Sequence, residues 1–145
     1  MYTIKTESAF DSAHFLYGYE GKCRNLHGHR WKIEVEVGCS TLHEKGQERG
    51  MLVDFSALKA AVRGLADRLD HALIYETGTL KENTLCALQE EGFALIAVPF
   101  RPTAENFSKY VYDEISGQGF QVVRTVVYET PNNCASYVSP LEDMR

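Results

Sequence analysis

The chain has 145 residues and a formal net charge of −5, and 44% of its residues are hydrophobic. This length is typical of one domain, and the apolar fraction suffices for a core without disulfide bonds. The sequence contains no basic block that would bind a polynucleotide, no run of roughly 18 apolar residues that would span a membrane, and no apolar signal-peptide region after Met1. We therefore expect a single cytoplasmic domain, 1–145, without nucleic-acid or membrane partners.

The first half of the chain predicts strands and one helix. Residues 2–10 are rich in β-branched and aromatic side chains, and residues 29–37 alternate almost strictly between apolar and polar side chains. Both patterns are typical of half-buried antiparallel strands. Residues 51–53 favour a further short strand. Asp54 then precedes apolar residues at helical spacing, and we expect it to cap a helix that ends near Leu69.

The second half predicts an insert, a second helix and two more strands. Apolar residues at helical spacing follow Thr103 and predict a helix that ends near Gly117. Alternation predicts strands at 121–130 and 134–138. The insert covers about 75–100, and its predicted parts are a loop at 75–81, a short helix at 82–91 and an extended apolar run at 94–100.

The predicted order of elements is therefore β-β-α-(insert)-α-β-β. Strands segregated from helices indicate an α+β fold, with two helices on one face of a four-stranded antiparallel sheet. The edge strands of such a sheet expose unpaired backbone amides and carbonyls, which proteins usually cover or pair. Pairing with other subunits would satisfy these groups, so we expect an oligomer.

Three histidines predict a metal site. His27 and His29 are two residues apart, so on a strand their side chains point to the same face. His14 ends the preceding strand, and antiparallel pairing would bring it opposite the other two. Three imidazoles that leave one position open suit a catalytic Zn²⁺, which polarises a carbonyl or acidifies a bound hydroxyl.

Cys23 lies four residues before His27 and has two interpretations. It could be a fourth zinc ligand, which would make the site structural. It could instead act beside the metal as a base or nucleophile, with its thiolate favoured by Lys22 and Arg24. The spacing leaves both interpretations open. We expect the remaining cysteines to be reduced and to pack as small hydrophobic residues: Cys39, Cys86 and Cys134.

Two acidic positions also have open interpretations. Asp70 and His71 directly follow the first predicted helix. They form either a solvated helix end or, if they lie in an irregular turn, a carboxylate–histidine pair that transfers protons. Glu129 ends an apolar strand face. It is either exposed to solvent or retained for a heterocycle edge that carries an N–H and an amino group side by side.

Six short motifs are distributed over nearly the whole chain. They are Phe10-Asp11-Ser12-Ala13-His14, Cys23-x-x-x-His27-Gly28-His29, Val53-Asp54-Phe55 with Leu58-Lys59, Leu69-Asp70-His71, Pro102-Thr103-Ala104-Glu105-Asn106 and Val127-Tyr128-Glu129-Thr130. In this order they resemble the 6-pyruvoyltetrahydropterin synthase / 6-carboxytetrahydropterin synthase (QueD) family. The resemblance implies the tunnelling fold, in which the four-stranded sheets of three subunits close a twelve-stranded barrel and two such rings stack as a homohexamer.

The resemblance also implies a role for each site residue. Zn²⁺ would be bound by His14, His27 and His29. Cys23 would act as a general base or acid rather than as a ligand, together with the Asp70–His71 pair, usually across a subunit boundary. Glu129 would anchor the pterin ring, and Thr103 and Glu105 would lie near its pocket.

The implied reaction converts 7,8-dihydroneopterin triphosphate to 6-carboxy-5,6,7,8-tetrahydropterin, acetaldehyde and triphosphate, which leads to 7-deazaguanine and queuosine synthesis. A pyruvoyl synthase would eliminate triphosphate without breaking the side chain. The three residues between Cys23 and His27 resemble the QueD pattern. A non-catalytic zinc module with Cys23 as fourth ligand is the alternative from another class. Candidates for binding the triphosphate are Lys22, Arg24, Arg30 and Arg101.

Overall fold

The computed structural model describes residues 1–140, so the last five residues of the predicted domain, 141–145, lie outside the described part. Within it the strands form one curved mixed sheet, with the order β4-β3-β1-β2-β5-β6. A 3₁₀ helix at Lys22–Arg24 precedes β2. The elements are β1 (Tyr2–His14), β2 (His27–Cys39), α1 (Phe55–Leu69), β3 (Ala72–Glu76), α2 (Glu82–Glu90), β4 (Leu95–Val98), α3 (Ala104–Ser116), β5 (Val122–Thr130) and β6 (Asn133–Val138).

The centre of the sheet is the antiparallel part that the sequence predicts. β1 and β2 pair along their whole length, from Tyr2 opposite Cys39 to His14 opposite His27. β5 pairs with β2, and β6 pairs with β5, both antiparallel. The strict alternation of β2 places Trp31 and Val35 in the core, where neither is exposed.

The predicted four-stranded antiparallel sheet is wrong in strand number and in strand direction. The segment after α1 adds β3 and the insert adds β4, so the sheet has six strands within residues 1–140, and β3 runs parallel to both β1 and β4. Residues 75–76, predicted as loop, belong to β3, because the apolar run after His71 pairs with the edge of β1. α2 connects β3 to β4, as a parallel connection requires. The short strand predicted at 51–53 does not form.

Two capped helices cover one face of the sheet and enclose the core. The Asp54 side chain accepts a hydrogen bond from the Ser56 amide at the start of α1, and the Thr103 side chain accepts one from the Asn106 amide at the start of α3. Phe107 of α3 contacts Trp31 of β2, with ring centroids 5.1 Å apart. No helix in residues 1–140 is long and apolar enough to cross a membrane.

Candidate metal centre and proton-transfer groups

The three predicted histidines meet at one end of the core-facing side of the sheet. In the β1–β2 register His14 lies opposite His27, and Ser12 lies opposite His29. Cross-strand partners share a face, and so do residues two apart on a strand, so all three imidazoles point the same way. One ring nitrogen from each histidine lies within 4.8 Å of the others.

Backbone carbonyls orient two of these imidazoles. His14 Nδ1 lies 2.8 Å from the Pro102 carbonyl oxygen, and His27 Nδ1 lies 2.6 Å from the Asn25 carbonyl oxygen. A carbonyl only accepts, so each Nδ1 donates its proton and each neutral ring keeps a lone pair on Nε2. The two Nε2 atoms are 3.1 Å apart. With both protons on Nδ1, neither Nε2 can donate to the other, and a cation bound by both lone pairs removes the conflict.

His29 completes a donor set that fits a metal ion. Its Nε2 is buried and has no hydrogen-bond partner within residues 1–140. A buried polar atom without a partner is costly, and native proteins rarely leave one. Three neutral imidazole nitrogens, two of them fixed by second hydrogen bonds, form the arrangement that proteins use for catalytic Zn²⁺.

Burial favours the neutral form of two of these imidazoles, those of His14 and His29. It lowers the pKa of His14 to about 4, against a smaller raising effect of the hydrogen bond to Pro102 and with further lowering by the neighbouring histidines. Burial also lowers the pKa of His29, although the Glu129 carboxylate acts in the opposite direction. A metal ligand must be unprotonated, so both histidines are ready to bind a metal at neutral pH.

Trp31 forms the base of the histidine cluster. It is fully buried, and its ring lies edge-on to His14 and His29, at centroid distances of 5.0 and 5.4 Å. Phe107 packs on another side of the same indole. Within residues 1–140 these two aromatic rings close the cluster on its core side.

Glu129 lies beside the cluster, at the edge that the sequence pattern predicts. Val127 pairs with Ile33 of β2, so Glu129, two residues later, projects to the same face. The β5–β6 register shifts between Tyr128 and Thr130, which marks an irregularity at this position. Glu129 Oε1 is 3.5 Å from His14 Nε2 and 3.5 Å from His29 Nε2, and the side chain is 31% exposed. The carboxylate thus faces both the cluster and solvent.

Asp70 and His71 form a hydrogen-bonded pair in an irregular turn after α1. His71 has a positive φ of 54°, a conformation that is uncommon for residues other than glycine. Asp70 Oδ2 accepts from His71 Nδ1 at 2.8 Å, and Asp70 Oδ1 accepts from the Asp11 amide at 2.8 Å. The His71 amide donates to the Asp11 carbonyl at 2.6 Å. Both ends of the pair are therefore attached to β1.

The same contacts shift the two pKa values apart. The hydrogen bonds from the Asp11 amide and from His71 lower the pKa of Asp70. The hydrogen bond and the charge of Asp70 raise the pKa of His71. The His71 side chain is 80% exposed, so it can exchange protons with a molecule bound outside this chain.

Cys23 is separate from both groups within one chain. It lies half-buried in the 3₁₀ helix between β1 and β2. Its thiol is not part of the group of mutually close ligand atoms that the three histidines form. No hydrogen bond within residues 1–140 joins it to Asp70 or His71. Within the described residues, Cys23 therefore does not close the four-ligand site of the non-catalytic alternative.

The remaining predicted residues lie around the start of α3 and on β2. Thr103 caps α3, and Glu105 is exposed in its first turn. Among the cationic candidates, Arg30 pairs with Asp11 at 3.0 Å, and Arg101 donates to the Tyr17 carbonyl at 2.9 Å. Lys22 and Arg24 are exposed beside Cys23.

Sequence reasoning missed the groups that orient the site through their backbone. The carbonyls of Asn25 and Pro102 hold the imidazoles, and the Asp11 backbone holds the Asp70–His71 turn. Every residue type has a backbone carbonyl, so no sequence pattern indicates which carbonyls take these roles. The position of the Pro102 carbonyl next to His14 depends on the packing of α3, which the sequence does not reveal.

Comparisons with known proteins match this chain to one family over nearly its whole length. A family model described as 6-pyruvoyl tetrahydropterin synthase matches residues 3–140. A Haemophilus influenzae protein named 6-carboxy-5,6,7,8-tetrahydropterin synthase is 35% identical over 140 residues, which are 94% of this chain and 99% of that protein. A Synechocystis protein of the same name is 32% identical over 142 residues, covering 97% of this chain and 95% of that protein.

Solved structures share the fold at lower identity. An uncharacterised protein of Wolinella succinogenes has a TM-score of 0.74 at 21% identity, covering 96% of this chain and 98% of that chain. The 6-pyruvoyl tetrahydropterin synthase of Plasmodium falciparum has a TM-score of 0.67 at 19% identity, covering 97% of this chain and 98% of that chain. At these identities the likeness establishes the fold alone.

Proposed function

The chain belongs to the 6-pyruvoyl tetrahydropterin synthase family, and on that premise we propose that it is a zinc-dependent lyase of the 6-carboxytetrahydropterin type. The match confirms the resemblance inferred from the sequence motifs. The proposed reaction converts 7,8-dihydroneopterin triphosphate to 6-carboxy-5,6,7,8-tetrahydropterin, acetaldehyde and triphosphate. Its product would enter 7-deazaguanine and queuosine synthesis.

One observation carries the proposal. One ring nitrogen of each histidine lies within 4.8 Å of the others, and the facing Nε2 atoms of His14 and His27 have no proton to share because both protons are on Nδ1. His14, His27 and His29 would hold Zn²⁺. When bound, Zn²⁺ supplies a Lewis acid that polarises a carbonyl or acidifies a hydroxyl of the substrate side chain. The neutral state of His14 and His29 supports this role.

Cys23, Asp70 and His71 would move the protons. The chemistry needs a group that removes a proton next to the reduced ring and a group that returns one, so their pKa values must differ. Asp70 holds His71 in one tautomer through Nδ1, which leaves its Nε2 free to give and take a proton. Cys23 would be the second group.

Glu129 would anchor the pterin. A carboxylate presents two acceptors in one plane, which match the ring N–H and the 2-amino group of a pterin edge. Its half-exposed position beside the cluster supports this role, since it can contact a ring whose side chain reaches the metal. Thr103 and Glu105, at the start of α3, would lie near the same pocket.

A homohexamer would complete this site. Within residues 1–140 no hydrogen bond joins Cys23 to the exposed His71, and β4 and β6 are the edge strands of the sheet. Barrel closure across subunits would pair such edges and bring a partner's residues to the site. Light scattering of the purified protein should give a mass about six times that of the chain, and a stable monomer would contradict the shared site.

The family member with a different product is the main competing function. A pyruvoyl synthase would use the same residues and stop before the side chain is broken. The three residues between Cys23 and His27, and relatives named 6-carboxy-5,6,7,8-tetrahydropterin synthase, favour the carboxy product.

Product analysis distinguishes the two functions. The zinc-loaded protein is incubated with 7,8-dihydroneopterin triphosphate, and the products are identified by mass spectrometry. Carboxytetrahydropterin together with acetaldehyde is the expected result. Pyruvoyltetrahydropterin without acetaldehyde would assign the sister reaction to the same site, and unchanged substrate would contradict both.

A further inference from the structure

The loop between β1 and β2, residues 15–26, carries two groups that matter to the site. It holds Cys23 in its 3₁₀ helix, and the Asn25 carbonyl orients His27 at 2.6 Å. Inside the loop the Leu16 amide donates to the Cys23 carbonyl at 2.9 Å, and the Asn25 amide donates to the Lys22 carbonyl at 3.0 Å. We call these residues the cysteine loop.

Arg101 connects the cysteine loop to the start of α3. Its Nη2 donates to the Tyr17 carbonyl at 2.9 Å, and its guanidinium lies over the Tyr19 ring, 5.6 Å from the centroid. Arg101 is itself held in place, because its carbonyl accepts from Asn106 Nδ2 at 2.9 Å and from the Thr103 amide at 2.8 Å. One side chain therefore joins two segments that are 84 residues apart in sequence.

The contact continues from Tyr19 to the 3₁₀ helix. A Cβ atom on Gly21 would lie 2.6 Å from Tyr19 Cε1, so the ring packs directly on the glycine backbone. Gly21 precedes the 3₁₀ helix, and its carbonyl accepts from the Arg24 amide at 3.2 Å. A movement of the Tyr19 ring would therefore be transmitted to the turn that contains Cys23.

The turn that contains Arg101 also orients the other side of the metal site. The next residue is Pro102, whose carbonyl accepts from His14 Nδ1 at 2.8 Å. The Asn25 and Pro102 carbonyls thus belong to two segments that Arg101 fastens together. Second hydrogen bonds of this kind fix ligand orientation, and their loss typically costs 10- to 100-fold in metal affinity or activity.

We propose that Arg101 is a positioning residue, which holds the cysteine loop against the start of α3 and so fixes both the 3₁₀ helix that carries Cys23 and the Asn25 carbonyl that orients His27. In this role it acts through the loop rather than on the substrate. Arginine suits this task, since its planar group donates to a carbonyl while stacking on an aromatic ring. The part that concerns Cys23 rests on the proposed function, and the part that concerns the loop does not.

The test compares three variants of the zinc-loaded protein by amide hydrogen exchange. Arg101→Met removes the donors and keeps the apolar stem, Arg101→Lys keeps the charge and one donor, and Arg63→Met removes an exposed arginine from α1 as the matched control. In Arg101→Met the amides of Leu16, Arg24 and Asn25 should exchange at least about tenfold faster. Arg63→Met should match the wild type, and Arg101→Lys should lie between.

Zinc binding and turnover give the second readout. Zinc affinity, measured by competition with a chelator, should fall about tenfold in Arg101→Met. The kcat should fall while KM changes less than twofold, and Arg101→Lys should recover most of the loss. If the melting temperature of Arg101→Met falls while its kcat and zinc affinity stay unchanged, the role of Arg101 is merely structural and the proposal is overturned.

The outcomes separate the two proposals. Unchanged exchange of the cysteine loop in Arg101→Met overturns the role of Arg101, whatever the enzyme does. A wild-type protein that leaves the pterin triphosphate unchanged overturns the proposed function, while exchange and zinc affinity still decide the role of Arg101. If Arg101→Met does not fold, Arg101→Lys and Gly21→Ala are measured in its place, because a Cβ atom on residue 21 displaces the Tyr19 ring. Cysteine-loop amides that exchange at the wild-type rate in both variants would overturn the proposal.

Discussion

His14 Nε2 and His27 Nε2 face each other at 3.1 Å, while the Nδ1 atom of each ring is hydrogen-bonded to a backbone carbonyl. The carbonyls come from two different segments, Pro102 before α3 and Asn25 before β2. Each carbonyl selects the tautomer that leaves the inner nitrogen unprotonated. The protein scaffold therefore directs two unprotonated ring nitrogens at each other, an arrangement that fits one shared cation.

Cys23→Ala should keep its zinc and lose its activity. The thiol is not in the group of ligand atoms formed by the histidines, so its removal leaves three imidazoles in place. Loss of one proton-transfer group typically costs about 10²- to 10⁴-fold in rate. Zinc content is measured by atomic absorption, with His27→Ala as the variant that should lose the metal. Loss of zinc from Cys23→Ala would instead make the cysteine a ligand.

Asp70→Asn should lower kcat and move its pH dependence. The hydrogen bond and charge of Asp70 raise the pKa of His71, so His71 stays protonated to a higher pH than a free imidazole. The amide removes the charge, and the alkaline limb of the kcat profile should shift to lower pH. The His71 titration is followed directly by NMR. His43→Ala, in the distant loop where His43 pairs with Glu48, should leave the profile unchanged.

Glu129→Gln should raise KM and leave the zinc content nearly unchanged. An amide offers one acceptor and one donor in place of two acceptors, so one N–H group of the bound pterin edge would lose its partner. Hydrogen bonds to charged groups contribute about 1.5–3 kcal/mol, which corresponds to roughly a 10- to 150-fold change in affinity. Steady-state kinetics and metal analysis are made on the same preparation. An unchanged KM would remove Glu129 from pterin binding.

The metal-free protein should lose stability as the pH falls from about 6.5 to about 4. His14 has a folded-state pKa of about 4, below the value of 6.5 for an unperturbed histidine, so in this range the unfolded chain binds more protons than the folded one. The contribution of His14 to the free energy of unfolding is complete above pH 6.5 and amounts to at most about 3 kcal/mol. Urea unfolding at several pH values measures it, and His14→Gln should flatten the dependence. A wild-type midpoint that is independent of pH would contradict the burial argument.

Several features of this molecule follow from local sequence alone. The alternation of β2 determines its buried face, and Asp54 and Thr103 mark the starts of two helices because their side chains accept from free amides. The spacing of His27 and His29 puts both on one face for the same reason. Periodicity and capping depend on residues close together in the chain, so they can be read without knowledge of the fold.

The tertiary structure alone decided what depends on distant contacts. The apolar run at Ala72–Glu76 is too short for periodicity to identify, and only its pairing with β1 makes it a parallel strand. The tautomers of His14 and His27 depend on carbonyls that every residue type possesses, and the contact of Arg101 with Tyr17 joins segments 84 residues apart. Residue types thus indicated which groups take part in the site, whereas backbone proximity created by folding determined how those groups are held.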